Sequence, residues 1–201
     1  MRIADPNAPT KKIILDATVQ LMLRKGYTAT SVENICMDAK TTKGSFFHFF
    51  ENKEDLGQAA LEHFYCFMQE EIREGPFLKK SDPLERVYGY VDFIILISQD
   101  PRTPKSCLLG NFAQELSNTH SGIRASCARL FSHWTNELKQ DLQAAQAKHA
   151  PKRTFNAGVL AEHFVAVLEG ALILAKAKKD RKIVKKSLLC YKQYLEGLFE
   201  K

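Results

Sequence analysis

The segment 30–56, TSVENICMDAKTTKGSFFHFFENKEDL, constrains the fold more than any other part of the chain. Thr30 or Ser31 is suited to cap a helix, with Glu33 placed to reach back to the helix start. Apolar residues then recur at helical spacing until a polar Lys-Thr-Thr run interrupts them. Thr42 is suited to cap a second short helix that ends at Phe49. Helix, turn and short helix form the skeleton of a helix-turn-helix motif over about residues 30–49, in which the second helix enters the DNA major groove.

The stretch 39–56, AKTTKGSFFHFFENKEDL, resembles the TetR family of transcriptional regulators, which typically read AGVSKGTLYYYFKSKEEL here. The core of the resemblance covers about residues 10–57, because the Lys-Gly-Ser step, the aromatic run and the Asn-Lys-Glu step all fall in register. It implies an all-α protein with an N-terminal three-helix helix-turn-helix DNA-binding domain, residues 1–52. A C-terminal helical ligand-binding and dimerisation domain, residues 53–201, is expected to follow.

The resemblance also implies a function. We expect a ligand-responsive repressor that binds a palindromic DNA operator as a homodimer and is released by a small molecule or a thiol-reactive compound. The alternatives are an all-helical enzyme and a helical adaptor that binds only protein. No metal motif, phosphate loop or supported nucleophile–histidine arrangement favours an enzyme, so neither a cofactor nor a metal is expected. The pair His63 and Cys66 is at most half of a metal site.

Several residues depart from the family pattern, including the phenylalanines Phe46, Phe47, Phe49 and Phe50 at positions that often hold Leu and Tyr. Lys40 stands where glycine is usual, so the turn between the helices requires a lysine in the left-handed backbone region. Thr41 replaces an apolar residue under that turn. Phe47 occupies a position where the family often has a tyrosine whose hydroxyl reaches a DNA phosphate.

Helix geometry places Thr42, Lys43 and Ser45 at the exposed start of the second helix. Lysine can donate to guanine, and threonine or serine can contact bases or phosphates. His48 is open between phosphate contact and helix packing, whereas Phe49 and Phe50 are expected in the core. The predicted DNA-contacting residues are Ser31, Thr41, Thr42, Lys43, Gly44, Ser45, Phe47, His48 and Lys53.

The last two predicted helices carry apolar residues at the spacing of a helix-packing seam. This face either completes the core of one chain or, as the resemblance implies, pairs with a second copy in a four-helix bundle. The predicted dimer interface consists of Leu160, Val167, Ala171, Leu188, Tyr191, Leu195 and Leu198.

An ample supply of aromatic residues after residue 60 is compatible with a ligand pocket between helices or with an ordinary helical core. Cys107 follows a Pro-Lys-Ser step and is predicted at a helix start, where a thiol becomes reactive; a buried apolar cysteine is the alternative. The predicted pocket residues are Phe93, Ile97, Cys107, Phe112, Glu115, Phe131, Trp134 and Phe164.

The composition agrees with a packed protein of one or two domains, with 201 residues and 45% hydrophobic content. The net charge is +6, but residues 1–55 hold eight basic against seven acidic residues, so the charge does not mark the DNA-binding segment. Five widely spaced cysteines favour reduced thiols in a cytoplasm. The start of the chain lacks the apolar region of a signal peptide. The longest apolar run, Phe93–Ile97, is too short to span a membrane, so we expect no membrane partner.

Overall fold

The structure, a computed structural model, describes residues 9–200, and within that range it contains α-helices, one 3₁₀ helix and no strand. The prediction of an all-α fold is confirmed. The first eight residues, on which the signal-peptide expectation largely depends, lie outside the described range. The helices are α1 Pro9–Lys25, α2 Val32–Asp38, α3 Lys43–Phe49, α4 Lys53–Arg73, a 3₁₀ helix Pro76–Lys79, α5 Pro83–Gln99, α6 Leu108–Leu116, α7 Ser121–His149, α8 Ala157–Lys178 and α9 Lys182–Phe199.

The chain divides into two compact units. The first comprises Met1–Gln69 and Leu108–Leu130, and the second comprises Glu70–Cys107 and Phe131–Lys201. The division therefore falls within α4 and within α7, and α6 belongs to the first unit together with α1, α2 and α3. The predicted functional boundary between residues 52 and 53 lies at the start of α4 and stays a prediction.

Local sequence signals explain where most helices begin and end. Gly26, with a φ of 85°, follows the last residue of α1 and adopts the left-handed conformation that glycine accepts most easily. Asp82 caps α5 through its carboxylate, and Pro83 occupies the first helical position. Asn156 caps α8 by accepting from the amides of Gly158 and Val159.

The core of the first unit is built on apolar residues at helical spacing. Ile14, Ala17 and Leu21 of α1 are buried, as their spacing predicts. Phe46 and Phe50 from the aromatic run are also buried, with 0% and 2% of their surface exposed. Burying a phenylalanine contributes about 1.5–3 kcal/mol, so these two rings help to hold α3 in place.

Helices α8 and α9 form much of the core of the second unit. Leu188, Tyr191 and Leu195 of α9 are almost fully buried, and the Tyr191 hydroxyl donates to the carbonyl of Leu160 at 2.8 Å. Aromatic rings extend this core: the Phe164 ring centroid lies 5.3 Å from that of Tyr90 and 5.5 Å from that of Tyr191.

By length and composition alone, α8 could cross a membrane, with a mean hydropathy of 1.7 in its most apolar window. It is the single such helix in residues 9–200, and the core helix of a soluble protein meets the same criterion. Polar residues such as Glu162 and Glu169 interrupt its apolar stretches, which is why the longest uninterrupted run in the sequence did not reveal it.

Candidate nucleic-acid interface

Helix α2 begins with a reciprocal cap between Ser31 and Asn34. The Ser31 hydroxyl accepts from the Asn34 amide at 3.2 Å, and the Asn34 side chain accepts from the Ser31 amide at 3.3 Å. The predicted capping box is shifted by one residue, because Asn34 occupies the third helical position and makes the reciprocal bond, while the Glu33 carboxylate is hydrogen-bonded to the side chains of Lys43 and Ser31. With its hydroxyl engaged in the cap, Ser31 remains exposed at the start of α2.

The turn between α2 and α3 contains one residue in the left-handed backbone conformation. Lys40 has a φ of 50°, in the left-handed region predicted for it, and the Thr41 amide donates to the carbonyl of Cys36 at 2.9 Å. A residue with a Cβ is therefore accommodated where glycine would cost less. Thr41 itself is half-buried.

Thr42 and Ser45 form the start of α3. The Thr42 hydroxyl accepts from the Ser45 amide at 3.0 Å, which confirms Thr42 as the cap, and the two hydroxyl oxygens lie 3.1 Å apart. Gly44 is exposed between them, and a Cβ added there would meet only the Thr42 hydroxyl at 3.6 Å, an ordinary contact. The packing of the chain itself therefore does not require a glycine at this position.

Lys43 pairs with Glu33 across the two helices. The ammonium group donates to the Glu33 carboxylate, and both side chains are more than half exposed. The hydrogen bond from Lys43 lowers the pKa of Glu33, and the same bond raises the pKa of Lys43. An exposed pair of this kind is weak, so Lys43 can exchange its partner for an acceptor on DNA.

Phe47 and His48 complete the outward face of α3. Phe47 is 57% exposed, in contrast to the buried Phe46 beside it. His48 is exposed, with its ring packed edge-on against Phe49 at a centroid distance of 4.8 Å. Phe49 is half-buried and Phe50 is buried, as their expected place in the core requires.

The Lys53 ammonium group is packed against the protein, whereas a phosphate contact calls for a freely accessible cation. Its ammonium group sits 4.2 Å from the centroid of the Tyr27 ring and 3.5 Å from the carbonyl oxygen of Thr28. Burial lowers the pKa of Lys53. Glu54 and Asp55 follow Lys53 in the first turn of α4, so negative charge also lies close to this helix start.

Glu115 belongs to the structure of the first unit rather than to a pocket. Its carboxylate accepts from the amides of Tyr27 at 2.9 Å and Thr28 at 2.7 Å, so α6 holds the loop between α1 and α2. Burial would raise the pKa of Glu115, but the hydrogen bonds from Thr28 and Tyr27 outweigh it and the pKa is lowered. A Cβ on Gly26 would lie 2.9 Å from this carboxylate. The sequence gives no signal for the contact, because 87 residues separate Glu115 from Thr28.

The other predicted pocket residues also divide between the units. Phe112 is fully buried in the first unit, where its ring meets that of Tyr27 edge-on at 5.6 Å. In the second unit, the Trp134 indole donates to the Tyr90 hydroxyl at 2.6 Å. The remaining members of the predicted set in that unit are Phe93, Ile97, Cys107, Phe131 and Phe164.

Cys107 is buried immediately before α6, and its side chain is hydrogen-bonded to Glu169 of α8. Burial raises the pKa of Glu169, while the bond with Cys107 opposes that rise. The second carboxylate oxygen of Glu169, Oε1, is buried with no hydrogen-bond partner among the described residues. A thiol held in this way differs from the accessible thiolate that the sensor hypothesis requires.

The predicted dimer-interface residues are mostly internal. Leu160, Ala171, Leu188, Tyr191 and Leu195 are buried in the core of their own unit, whereas Val167 and Leu198 are half-buried. Helical spacing identifies a packed face but not the chain that packs against it, so the residues that contact a second copy stay a prediction. The apolar residues left exposed on α8 and α9 are Val159, Ile173, Leu174, Leu189 and Tyr194.

A capped helix, a tight left-handed turn and a second short helix with a polar exposed face define a helix-turn-helix DNA-binding regulator. The chain belongs to the TetR family of such regulators. A model of the bacterial regulatory proteins of the tetR family matches residues 14–60, and a model of the tetracyclin repressor-like C-terminal domain matches residues 83–188. The prediction of a transcriptional regulator rather than an enzyme is confirmed.

Individual proteins are similar over most of the chain. The HTH-type transcriptional repressor DhaR of Mycobacterium sp. (strain GP1) is 27% identical over 173 residues, 86% of this chain and 85% of DhaR. The regulatory protein TetR from Rhodobacter sphaeroides has a crystal structure that matches with a TM-score of 0.76 and 25% identity, covering 90% of this chain and 96% of that one. The reduced form of E. coli NemR shares the fold, with a TM-score of 0.79 and 23% identity over 92% of this chain and 95% of that one.

Proposed function

We propose that the protein is a repressor that binds a palindromic operator as a homodimer and is released by a ligand bound in its second unit. The observation that carries the proposal is the exposed face of α3, where Lys43, Gly44 and Phe47 surround capping hydroxyls with little packing of their own. Family membership and the repressor DhaR support the repressing direction. Because the protein would act on genomic DNA, we expect it to be located in the cytoplasm.

The exposure of these residues supports the predicted DNA-contacting set. Thr42, Lys43, Gly44, Ser45, Phe47 and His48 face the groove, with Ser31 and Thr41 near the backbone. Lys53 stays in the proposed set of DNA contacts, but its ammonium group must move away from the Tyr27 ring before it can reach a phosphate.

Dimerisation supplies the second reading helix. A single short helix binds DNA weakly, and two-fold symmetry matches two half-sites on one face of the duplex. The exposed Val159, Ile173 and Leu174 of α8, with Leu189 and Tyr194 of α9, supply the apolar surface that a second copy would cover.

The inducer site is proposed around Glu169. A buried carboxylate oxygen without a partner suits a ligand that carries a hydrogen-bond donor, and the aromatic rings of the same unit suit an apolar body. This favours a reversible small molecule over a thiol-reactive compound, since Cys107 is buried beside that carboxylate.

Selection of operators from a random duplex library by the full chain tests the proposal. We expect a palindrome whose half-sites lie about one helical turn apart, and binding that weakens steeply as salt rises. Lys43→Ala should relax selectivity at one base position per half-site and cost about 1–3 kcal/mol. Retention of no sequence, or binding that salt does not change, would contradict the proposal and favour an adaptor.

A further inference from the structure

Phe47 is an exposed aromatic residue on the helix that reads DNA. Phe46 and Phe50 fill the core, and Phe49 is half-buried, whereas 57% of Phe47 is open to solvent. The Phe47 ring meets the Phe46 ring edge-on, with centroids 5.1 Å apart and planes at 82°. The ring is therefore held in one orientation by the core without being part of it.

The position of Phe47 on α3 places it among groups that suit DNA. Residues four apart lie on one face of a helix, so Phe47 stands next to Lys43 on the exposed side. Gly44 and His48 form the adjoining row, and Gly44 adds no side chain that could screen the ring. An apolar ring thus projects from a face that is otherwise polar and cationic.

The chemistry of the ring limits what it can recognise. It carries no hydroxyl, so it cannot donate to a phosphate or to a base acceptor. In the major groove, the 5-methyl group of thymine is the apolar feature that base pairs present, and phenylalanine is suited to contact it.

We propose that Phe47 is a specificity-determining residue whose ring contacts the 5-methyl group of a thymine in each half-site. The inference rests on the proposed function, since it requires α3 to enter the major groove. It adds a base preference that the polar residues of α3 do not supply.

The test uses the duplex that the full chain selects from a random library. Each thymine of that duplex is replaced in turn by uracil, which removes only the methyl group, and affinity is measured by fluorescence anisotropy at fixed salt. At one thymine per half-site we expect about a fourfold loss, the effect of one methyl-sized apolar contact. Phe47→Ala should bind the thymine and uracil duplexes equally, whereas Phe47→Leu should keep part of the difference.

Met37→Ala is the matched control, because Met37 is 73% exposed on α2 of the same unit. It should retain the full difference between thymine and uracil. Circular dichroism establishes that each variant is folded.

Two results would overturn the inference: uracil tolerated at every thymine, or a methyl effect of the same size in Phe47→Ala. Either leaves the proposed function intact, because the wild-type chain still selects its operator. Failure of the wild-type chain to select any duplex removes the proposed function and this inference together.

Discussion

The carboxylate of Glu115 holds the loop between α1 and α2, and its removal should weaken the DNA-binding unit measurably. The two hydrogen bonds to the amides of Tyr27 and Thr28 are 2.9 and 2.7 Å long. A hydrogen bond to a charged group contributes about 1.5–3 kcal/mol in a buried setting. Because Glu115 is exposed, we discount both bonds and expect Glu115→Ala to lower the free energy of unfolding by about 1–2 kcal/mol. That corresponds to a fall in Tm of roughly 3–6 °C.

The pH dependence gives this prediction a signature. The pKa of Glu115 is lowered in the folded protein from its ordinary value of 4.5, so its stabilisation is present above that value and is lost as the pH falls through the folded pKa. Thermal unfolding followed by circular dichroism should show the full Tm difference at pH 7 and a shrinking one below pH 4.5.

Two further variants sharpen the test. Glu115→Gln keeps one acceptor oxygen and should fall between wild type and alanine at pH 7. Gln114→Ala is the control, since the Gln114 side chain donates to the Gly110 carbonyl of its own helix, at 3.1 Å. An unchanged Tm in Glu115→Ala at pH 7, or a difference that persists undiminished in acid, would refute the assigned role.

Three more predictions concern DNA binding, pH and assembly. Gly44→Ala should raise stability by about 0.5–1 kcal/mol, because its Cβ meets only an ordinary contact, yet weaken operator binding by blocking close approach; unchanged affinity in an anisotropy titration would contradict this. Burial raises the pKa of Glu169, so the free energy of unfolding falls as the pH rises from 4.5 towards the folded pKa. The Tm of Glu169→Gln should therefore exceed that of the wild type by an amount that grows between pH 4.5 and pH 8. A difference that stays constant with pH would count against this prediction. The double variant Leu174→Asp with Tyr194→Asp should stay folded but become monomeric in light scattering. The control Leu96→Asp on α5 should stay dimeric. A dimer that persists in the double variant would place the interface elsewhere.

The helices could be predicted from the sequence because their signals are local. Thr42, Asn52 and Asp82 cap the helices that follow them. The left-handed Lys40 was expected because the TetR family usually has glycine at this position. The reciprocal cap of Ser31 is completed by Asn34 rather than by Glu33, because the helix begins one residue later than the Thr-x-x-Glu pattern predicts.

Tertiary contacts were harder to predict. Glu115 was expected to orient a ligand, but its partners are amides far away in the sequence, and no periodic pattern encodes that contact. The spacing of Leu188, Tyr191 and Leu195 correctly indicated a packed face. Spacing does not distinguish a partner in the same chain from one in a second copy, so it does not identify which residues face a second copy.

The ion pair between Lys43 and Glu33 changes how strongly a lysine at this position would discriminate between DNA sequences. An unpaired lysine gains from almost any acceptor on DNA and therefore favours all sequences alike. If α3 enters the major groove as proposed, Lys43 exchanges one weak, exposed contact for another, so a poorly placed acceptor offers it little gain, whereas a well-placed acceptor such as guanine offers more. The Glu33 carboxylate then reduces what Lys43 gains from phosphates in any sequence, and the cost of Lys43→Ala should fall mainly on the preferred operator.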